Sequence, residues 1–197
     1  GEKMSKRKGN VINPFEAIRN YGPDPVRWYM ITNSNPWDNL RFNLDGITEV
    51  RNKFFGTLAN TYNFFALYAN IDGYTVEGNN KVAHADLTEI DRWVLSILAS
   101  LVKEVDGYYA DYEPTKAGRA IQDFVSDHLS NWYVRLGRKR FWRGEMTANK
   151  KAAYQTLHEC LLTVSQLMSP IAPFFGEWLY RSVTNQGASN SVHLTLF

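Results

Sequence analysis

Residues 3 to 10 combine positive charge with small side chains, in the order Lys3-Met4-Ser5-Lys6-Arg7-Lys8-Gly9-Asn10. Lysine carries a compact, mobile ammonium group that can follow a phosphate as it moves, and serine and glycine let the backbone approach a ligand closely. The pattern predicts a loop that binds a polyanion, for which a triphosphate is the natural partner. The alternative is a solvated basic segment, which is what most lysine-rich runs are.

Basic and aromatic side chains alternate in a second stretch, residues 131 to 143. Arg135, Arg138 and Lys139 are three and four residues apart, which places them on one face of a helix and turns Trp132 and Leu136 to another. Such a helix suits an RNA backbone, and its aromatic rings can stack on an unpaired base. The candidate RNA contacts are Trp132, Arg135, Arg138, Lys139, Arg140, Trp142 and Arg143. The alternative is a core helix with a solvated basic side and tryptophans that only pack.

The charges of the chain are concentrated at these two places. The net charge is only +2, yet residues 131 to 151 contain seven basic side chains and the single acidic residue Glu145. The first ten residues contain four basic side chains and one acidic one, Glu2. Two basic clusters in an otherwise balanced chain predict two separate contacts with phosphate.

Length and composition indicate an ordinary globular protein, with 197 residues of which 44% are apolar. No apolar run approaches the roughly 20 residues of a membrane span, and no signal-peptide pattern is present, so we expect no membrane contact and a cytoplasmic location. Cys160 is the only cysteine and lies in an apolar helical stretch, which favours a buried thiol. The four histidines have no metal-ligand spacing, so no metal site is expected.

The rest of the sequence contains residues that typically start and stop helices, and apolar residues at helical spacing. Asn13 and Pro14 predict the start of a short helix that stops at Gly22, and Asp24-Pro25 repeats this pattern for the next one. Apolar residues then recur every three or four positions from Ile47 to Tyr68, which predicts a long amphipathic helix. The piece between these helices, residues 40 to 42, is expected to be extended.

Further helices are expected in the second half of the chain. A variant capping box at residues 88 to 91 opens one, and Pro114 starts another that runs into the basic stretch with Trp132 and Leu136 on its buried side. Two more helices are expected, one from about residue 150 to 168 and one from 174 to 183. The predicted fold class is mainly α, an antiparallel helical bundle preceded by a small mixed region. The expected division is 1–43, a bundle at 44–184 and a truncated tail at 185–197.

Three segments resemble the class I aminoacyl-tRNA synthetases. Residues 3 to 6 match the Lys-Met-Ser-Lys-Ser signature loop of that family, with Arg7 in place of the second serine. Residues 22 to 28, Gly-Pro-Asp-Pro-Val-Arg-Trp, are similar to the Gly-Ala-Asp-Ala-Leu-Arg stretch that follows the loop. Residues 131 to 142 are similar to the anticodon-domain helix of the isoleucine-specific members. The valine, leucine and methionine enzymes share the architecture and remain alternatives.

The resemblance implies roles for the first basic cluster. In the family this loop stabilises the phosphates of ATP, bound with Mg²⁺, while an aminoacyl-adenylate forms, which implies that Lys3 and Lys6 are catalytic. The implied ATP-binding loop comprises Lys3, Met4, Ser5, Lys6, Arg7, Gly9 and Asn10. Residues 1–43 would carry this loop and contact the tRNA stem, and the bundle would bind the anticodon stem-loop. The implied partners are the isoleucine acceptor tRNA, ATP and isoleucine, with the protein acting as a monomer.

The family's other ATP motif, His-x-Gly-His, does not occur in these 197 residues. We therefore expect the chain to be the C-terminal portion of a larger enzyme, inactive alone and binding no ATP by itself. Two other classes remain open: a non-catalytic helical module that binds RNA or DNA, and a helical scaffold that binds protein through its aromatic surface. Nucleic-acid binding weakens steeply with salt, whereas apolar association does not, so salt dependence separates them.

Overall fold

The computed structural model describes residues 4–76, 81–142, 144–184 and 190–196, without the side chain of Lys6. These ranges are mainly helical and contain no strand, so the predicted mainly α fold is confirmed. Residues 40 to 42, which were expected to be extended, form irregular coil. The helices are α1 (Pro14–Tyr21), α2 (Pro23–Asn33), α3 (Leu44–Val50), α4 (Gly56–Asp72), α5 (Glu89–Ala110), α6 (Pro114–Asp123), α7 (Arg135–Trp142), α8 (Ala148–Met168) and α9 (Pro173–Thr184). No helix in these ranges is long and apolar enough to cross a membrane.

The first two helices start at prolines. Asn13 caps α1, because its Oδ1 accepts the backbone N–H of Phe15 at 3.0 Å. The prediction that Asp24 caps α2 is wrong: α2 begins at Pro23, two residues before the predicted start at Pro25, so Asp24 lies inside its first turn. The Asp24 carboxylate instead accepts the backbone N–H of Phe175 at 2.6 Å, at the start of α9. Asp24 therefore caps a helix far away in the sequence.

The predicted long amphipathic helix is confirmed. α3 continues through a π-helical stretch, Arg51–Phe55, into α4, and the run ends at Gly73 in the left-handed conformation, with φ of 62°. Four residues of the predicted apolar stripe are buried, Ile47, Phe54, Leu58 and Phe65. These side chains pack into the main core of the bundle, except that Ile47 belongs to a smaller cluster with α1 and α2.

The remaining helices complete the bundle. Asp91 accepts the backbone N–H of Thr88 at 3.0 Å, as the predicted capping box requires. A second π-helical stretch, Phe124–Val134, joins α6 to α7 without a break. α8 packs against α5, α7 and α9, and most of its circumference is buried, including the single thiol of Cys160. The prediction of a buried core cysteine is confirmed.

The N-terminal region is joined to the bundle by hydrogen bonds at helix ends. At the C-terminus of α2, the Ile31 carbonyl accepts from the Thr115 hydroxyl at 2.7 Å and the Thr32 carbonyl accepts from Arg119 at 2.8 Å. The indole of Trp28 is fully buried and stacks on Phe54, with ring centroids 4.3 Å apart. The predicted boundary after residue 43 therefore separates elements that share one core, and it stays a prediction.

Candidate functional site

The first basic cluster forms a tight loop. Lys6–Lys8 make one 3-10 turn, in which the Lys8 N–H donates to the Ser5 carbonyl at 3.0 Å. The Ser5 N–H donates to Oδ1 of Asn10 at 2.7 Å, and Gly9 has φ of +65°, a conformation that favours glycine. Ser5, Gly9 and Asn10 thus define the shape of the loop, and their expected part in ATP binding stays a prediction.

The charged side chains of this loop face solvent where they are described. Arg7 and Lys8 are exposed, and Met4 is 43% exposed. Lys3 and the side chain of Lys6, the two residues expected to be catalytic, lie outside the described residues. Their contacts with ATP stay predictions.

The second basic cluster forms an exposed surface on α7 and the turn before it. Arg135, Arg138 and Lys139 are all exposed and share one side of the helix. Trp132 is 55% exposed and Trp142 is 54% exposed. Arg143 lies outside the described residues. We call these five described residues, Trp132, Arg135, Arg138, Lys139 and Trp142, the basic face.

The predicted buried side of the helix that starts at Pro114 is wrong at its C-terminal end. Trp132 and Leu136 were expected to be buried, but both are more than half exposed, and the fully or nearly fully buried residues are Tyr133, Gly137 and Phe141. The π-helical stretch explains the difference, because its hydrogen bonds run from residue i to i+5 and each turn therefore takes up more residues. If the α-helical period of 3.6 residues is assumed across Phe124–Val134, the next buried side chain is predicted at Trp132, one residue before the buried Tyr133.

Arg140 does not belong to the basic face. Its guanidinium donates to both carboxylate oxygens of the fully buried Asp91, at 2.7 Å each. It also donates to the side chain of Asn149 at 2.6 Å, and the Tyr133 hydroxyl donates to Asp91 at 2.7 Å. The arginine is therefore held in a structural ion pair between α5 and α7, which corrects its expected place among surface RNA contacts.

The electrostatics of Asp91 follow from these contacts. Burial by itself would raise the pKa of the carboxyl, but hydrogen bonds from Arg140, Thr88 and Tyr133, together with the arginine charge, outweigh burial and lower the pKa. The buried carboxylate therefore stays ionised and compensates the charge of Arg140.

A second basic residue of the cluster is also neutralised. Lys150 is 3% exposed, and its ammonium group forms an ion pair with Asp72, whose carboxylate also accepts the Tyr154 hydroxyl. The basic side chains counted from the sequence therefore overstate the positive charge that this cluster exposes at the surface. Both acidic partners, Asp72 and Asp91, lie far from the cluster in the sequence, so no local pattern predicted these pairs.

Two residues beside the basic face were not identified from the sequence. Trp93 of α5 lies 6.2 Å from Trp132 and 5.9 Å from His128, measured between ring centroids. The structure shows the Trp93 side chain half-buried. The two tryptophans are distant in sequence, so spacing alone carried no signal of their contact.

Other chemistry is not assembled in the part of the chain that the structure describes. There, no group of three or more His, Cys, Asp or Glu side chains is positioned to hold a metal ion. The Cys160 thiol is completely buried, and its burial raises its pKa, so it is not present as a reactive thiolate.

Comparison with known proteins gives a consistent result. Residues 91–197 match the model of the anticodon-binding domain of tRNA ligases, and residues 1–43 match that of the class I tRNA synthetases for I, L, M and V. The chain is 64% identical over 197 residues to an isoleucine–tRNA ligase of Porphyromonas gingivalis, covering all of this chain and 17% of that relative. It therefore spans about a sixth of the length of this relative.

Two solved structures share the fold at low sequence identity. One is a LeuRS of Agrobacterium radiobacter in a ternary complex with tRNA and LeuAMS, with a TM-score of 0.70 and 20% identity over 98% of this chain and 22% of that one. The other is the methionyl-tRNA synthetase of Mycobacterium tuberculosis in complex with methionyl-adenylate, with a TM-score of 0.73 and 19% identity over 99% of this chain and 42% of that one. The family match extends over more than half of the chain, and the chain belongs to the anticodon-binding domain family of class I tRNA ligases.

Proposed function

We propose that this chain is the part of an isoleucine–tRNA ligase that carries the ATP loop and binds the anticodon stem-loop. The observation that carries the proposal is the basic face, where exposed cations and exposed indoles occupy one side of a helix whose other side is buried. The isoleucine–tRNA ligase relative, 64% identical across the whole chain, supports the amino-acid assignment. The proposed protein works in the cytoplasm as a monomer.

The basic face suits a single-stranded loop of RNA better than a regular duplex. Arg135, Arg138 and Lys139 offer charge to the phosphates, and Trp132 and Trp142 offer flat surfaces for splayed-out bases. Arg140 is committed to Asp91 and would act only by holding α7 in place. The LeuRS structure contains a bound tRNA, which supports tRNA as the partner class.

The loop at residues 3 to 10 is proposed to act on ATP. In adenylate formation the amino-acid carboxylate attacks the α-phosphate of ATP, and pyrophosphate leaves with growing negative charge. Lys3 and Lys6 would meet that charge, which is stabilisation made mainly in the transition state. Ser5, Gly9 and Asn10 define the turn of this loop. The described residues offer no cluster of ligands for Mg²⁺, so no step here is assigned to the metal.

Binding of the chain to tRNA tests the proposal and its alternatives. We expect tighter binding to the isoleucine acceptor tRNA than to the same tRNA carrying a methionine anticodon, with an affinity that falls steeply with salt. A preference for valine, leucine or methionine tRNA would move the assignment to that enzyme. Equal binding to every RNA would favour the non-catalytic module, and the absence of RNA binding would overturn the proposal.

A further inference from the structure

Three rings from two elements meet at one end of the basic face. Trp93 projects from α5, whereas His128 and Trp132 project from the π-helical stretch between α6 and α7. The Trp93 and Trp132 rings are inclined by 51°, and the Trp93 and His128 rings meet nearly edge to face, at 75°. His128 also contacts the ring of Phe124, which is buried in the core. The rings thus connect the exposed Trp132 to the interior.

Trp132 contacts the Trp93 ring but leaves more than half of its own side chain exposed. Trp93 is half-buried, while Trp132 remains 55% exposed. Trp132 precedes Arg135 by three residues and Lys139 by seven, and both spacings place the indole beside these cations on the helix surface. A flat ligand that stacks on the open side of Trp132 would therefore have positive charge next to it.

We propose that Trp93 is a positioning residue that fixes the Trp132 indole as a stacking platform for one unpaired base of the bound RNA. This inference rests on the proposed function, because the phosphates of the same RNA would contact Arg135, Arg138 and Lys139. Charge complementarity favours RNA as the occupant: an apolar protein surface would bury these cations without partners, which is costly. Every nucleobase has an aromatic face, so the platform supplies affinity for any base.

The expected effects differ in size for the two tryptophans. Loss of a base–aromatic stack weakens RNA binding by about 5- to 100-fold, which is the expected result for Trp132→Ala. Loss of Trp93 leaves the stack possible but lets the Trp132 side chain move, so that binding must order it. Immobilising one side chain corresponds to a weakening of about 2- to 10-fold, which is the expected result for Trp93→Leu.

The test measures the affinity of the chain for a stem-loop RNA with the anticodon loop of the isoleucine acceptor tRNA. The double variant Trp93→Leu/Trp132→Ala is expected to bind as weakly as Trp132→Ala alone, because Trp93 acts through Trp132. Trp93→Phe keeps a ring and is expected to restore most of the affinity. A series of RNAs then carries an abasic site at one loop position each. The RNA that lacks the stacked base is expected to bind wild type and Trp132→Ala with equal affinity.

Controls separate stacking from folding and from the proposed function. Phe174→Ala removes a 65% exposed aromatic ring on α9 and is expected to leave affinity unchanged, and helical content is measured for every variant. The stacking inference fails alone if Arg138→Ala/Lys139→Ala weakens RNA binding but no RNA with an abasic site binds wild type and Trp132→Ala with equal affinity. It also fails alone if the losses of affinity caused by Trp93→Leu and Trp132→Ala add in the double variant. If the charge variant changes nothing, or if the face binds protein instead of RNA, the proposed function fails as well.

Discussion

Arg140 of α7 and Asp91 of α5 form a two-bond ion pair in the interior of the bundle, with both N–O distances at 2.7 Å. The arginine side chain is 14% exposed and the aspartate is fully buried. Lys139, the residue before Arg140 in the sequence, is exposed. Two adjacent basic residues on one helix therefore occupy different environments, one inside the fold and one on its surface.

This difference predicts opposite phenotypes for two adjacent substitutions. Arg140→Ala leaves Asp91 as an unpaired buried charge and is expected to lower the free energy of unfolding by about 3 kcal/mol or more. Lys139→Ala is expected to change stability by less than about 0.5 kcal/mol while weakening RNA binding. Urea unfolding followed by circular dichroism measures the first effect. Equal stability of the two variants would mean that the ion pair contributes little.

Stability is expected to fall in acid, first through His158. Burial lowers the pKa of this imidazole below its usual 6.5, while its Nε2 lies 3.0 Å from the Val183 carbonyl oxygen. Because the unfolded chain then binds the proton more readily than the folded one, the free energy of unfolding decreases as the pH falls below about 6.5. Asp24 works in the opposite direction, since burial raises its pKa.

Comparison with His158→Gln isolates this contribution. The variant is expected to remove the slope between pH 7 and pH 5 that the wild type shows in urea titrations at each pH. Asp72 and Asp91 have lowered pKa values, so their stabilisation is present above about 3.8, the unfolded value, and is lost below it. Identical slopes in wild type and variant above pH 5 would contradict the assignment to His158.

A tyrosine occupies a position that favours glycine at the end of α5. Tyr112 has φ of 56°, and the N–H of Glu113 donates to the Tyr108 carbonyl at 2.7 Å, which is the bonding of a Schellman motif. Its side chain is 85% exposed. Tyr112→Gly is therefore expected to raise the free energy of unfolding by up to about 1 kcal/mol.

The end of α4 provides the reciprocal test. Gly73 has φ of 62° with no atom near the position of an added Cβ, so Gly73→Ala is expected to lower the free energy of unfolding by about 1 kcal/mol through backbone strain alone. Thermal unfolding of both variants checks the pair. A drop in stability in Tyr112→Gly would show that the tyrosine side chain makes a stabilising contact.

Local sequence patterns predicted the positions of the helices well, but they predicted less well which side of each helix is buried. Asn13, Thr88 and the apolar stripe of α3 and α4 act through neighbours in sequence, so caps and periodicity were sufficient. The buried side of α7 depended on the π-helical stretch, which no residue pattern marks. The partners of Arg140 and Lys150, Asp91 and Asp72, come from other helices, and a net charge counted along the sequence cannot detect such pairing.

The chain alone is expected not to activate isoleucine. Two lysines on a loop supply charge but cannot position the carboxylate for attack, which requires the remainder of an active site. In the intact enzyme, Lys6→Ala is expected to slow adenylate formation by about a hundredfold or more, with isoleucine affinity little changed. Pyrophosphate exchange measures both. Exchange by the chain alone, or normal rates with Lys3 and Lys6 both replaced by alanine, would contradict the proposed role of the loop.

The most direct test of the account is tRNA binding by Arg138→Ala/Lys139→Ala across a salt series, with circular dichroism to verify the fold. Lys53→Ala/Lys103→Ala removes the same charge from exposed positions elsewhere and serves as the matched control. The account predicts weaker binding by the first variant only, and a log–log salt dependence flatter by up to about one unit for each phosphate that the variant no longer binds. Unchanged affinity and slope in a folded Arg138→Ala/Lys139→Ala protein would contradict it, because the basic face would then point only to solvent.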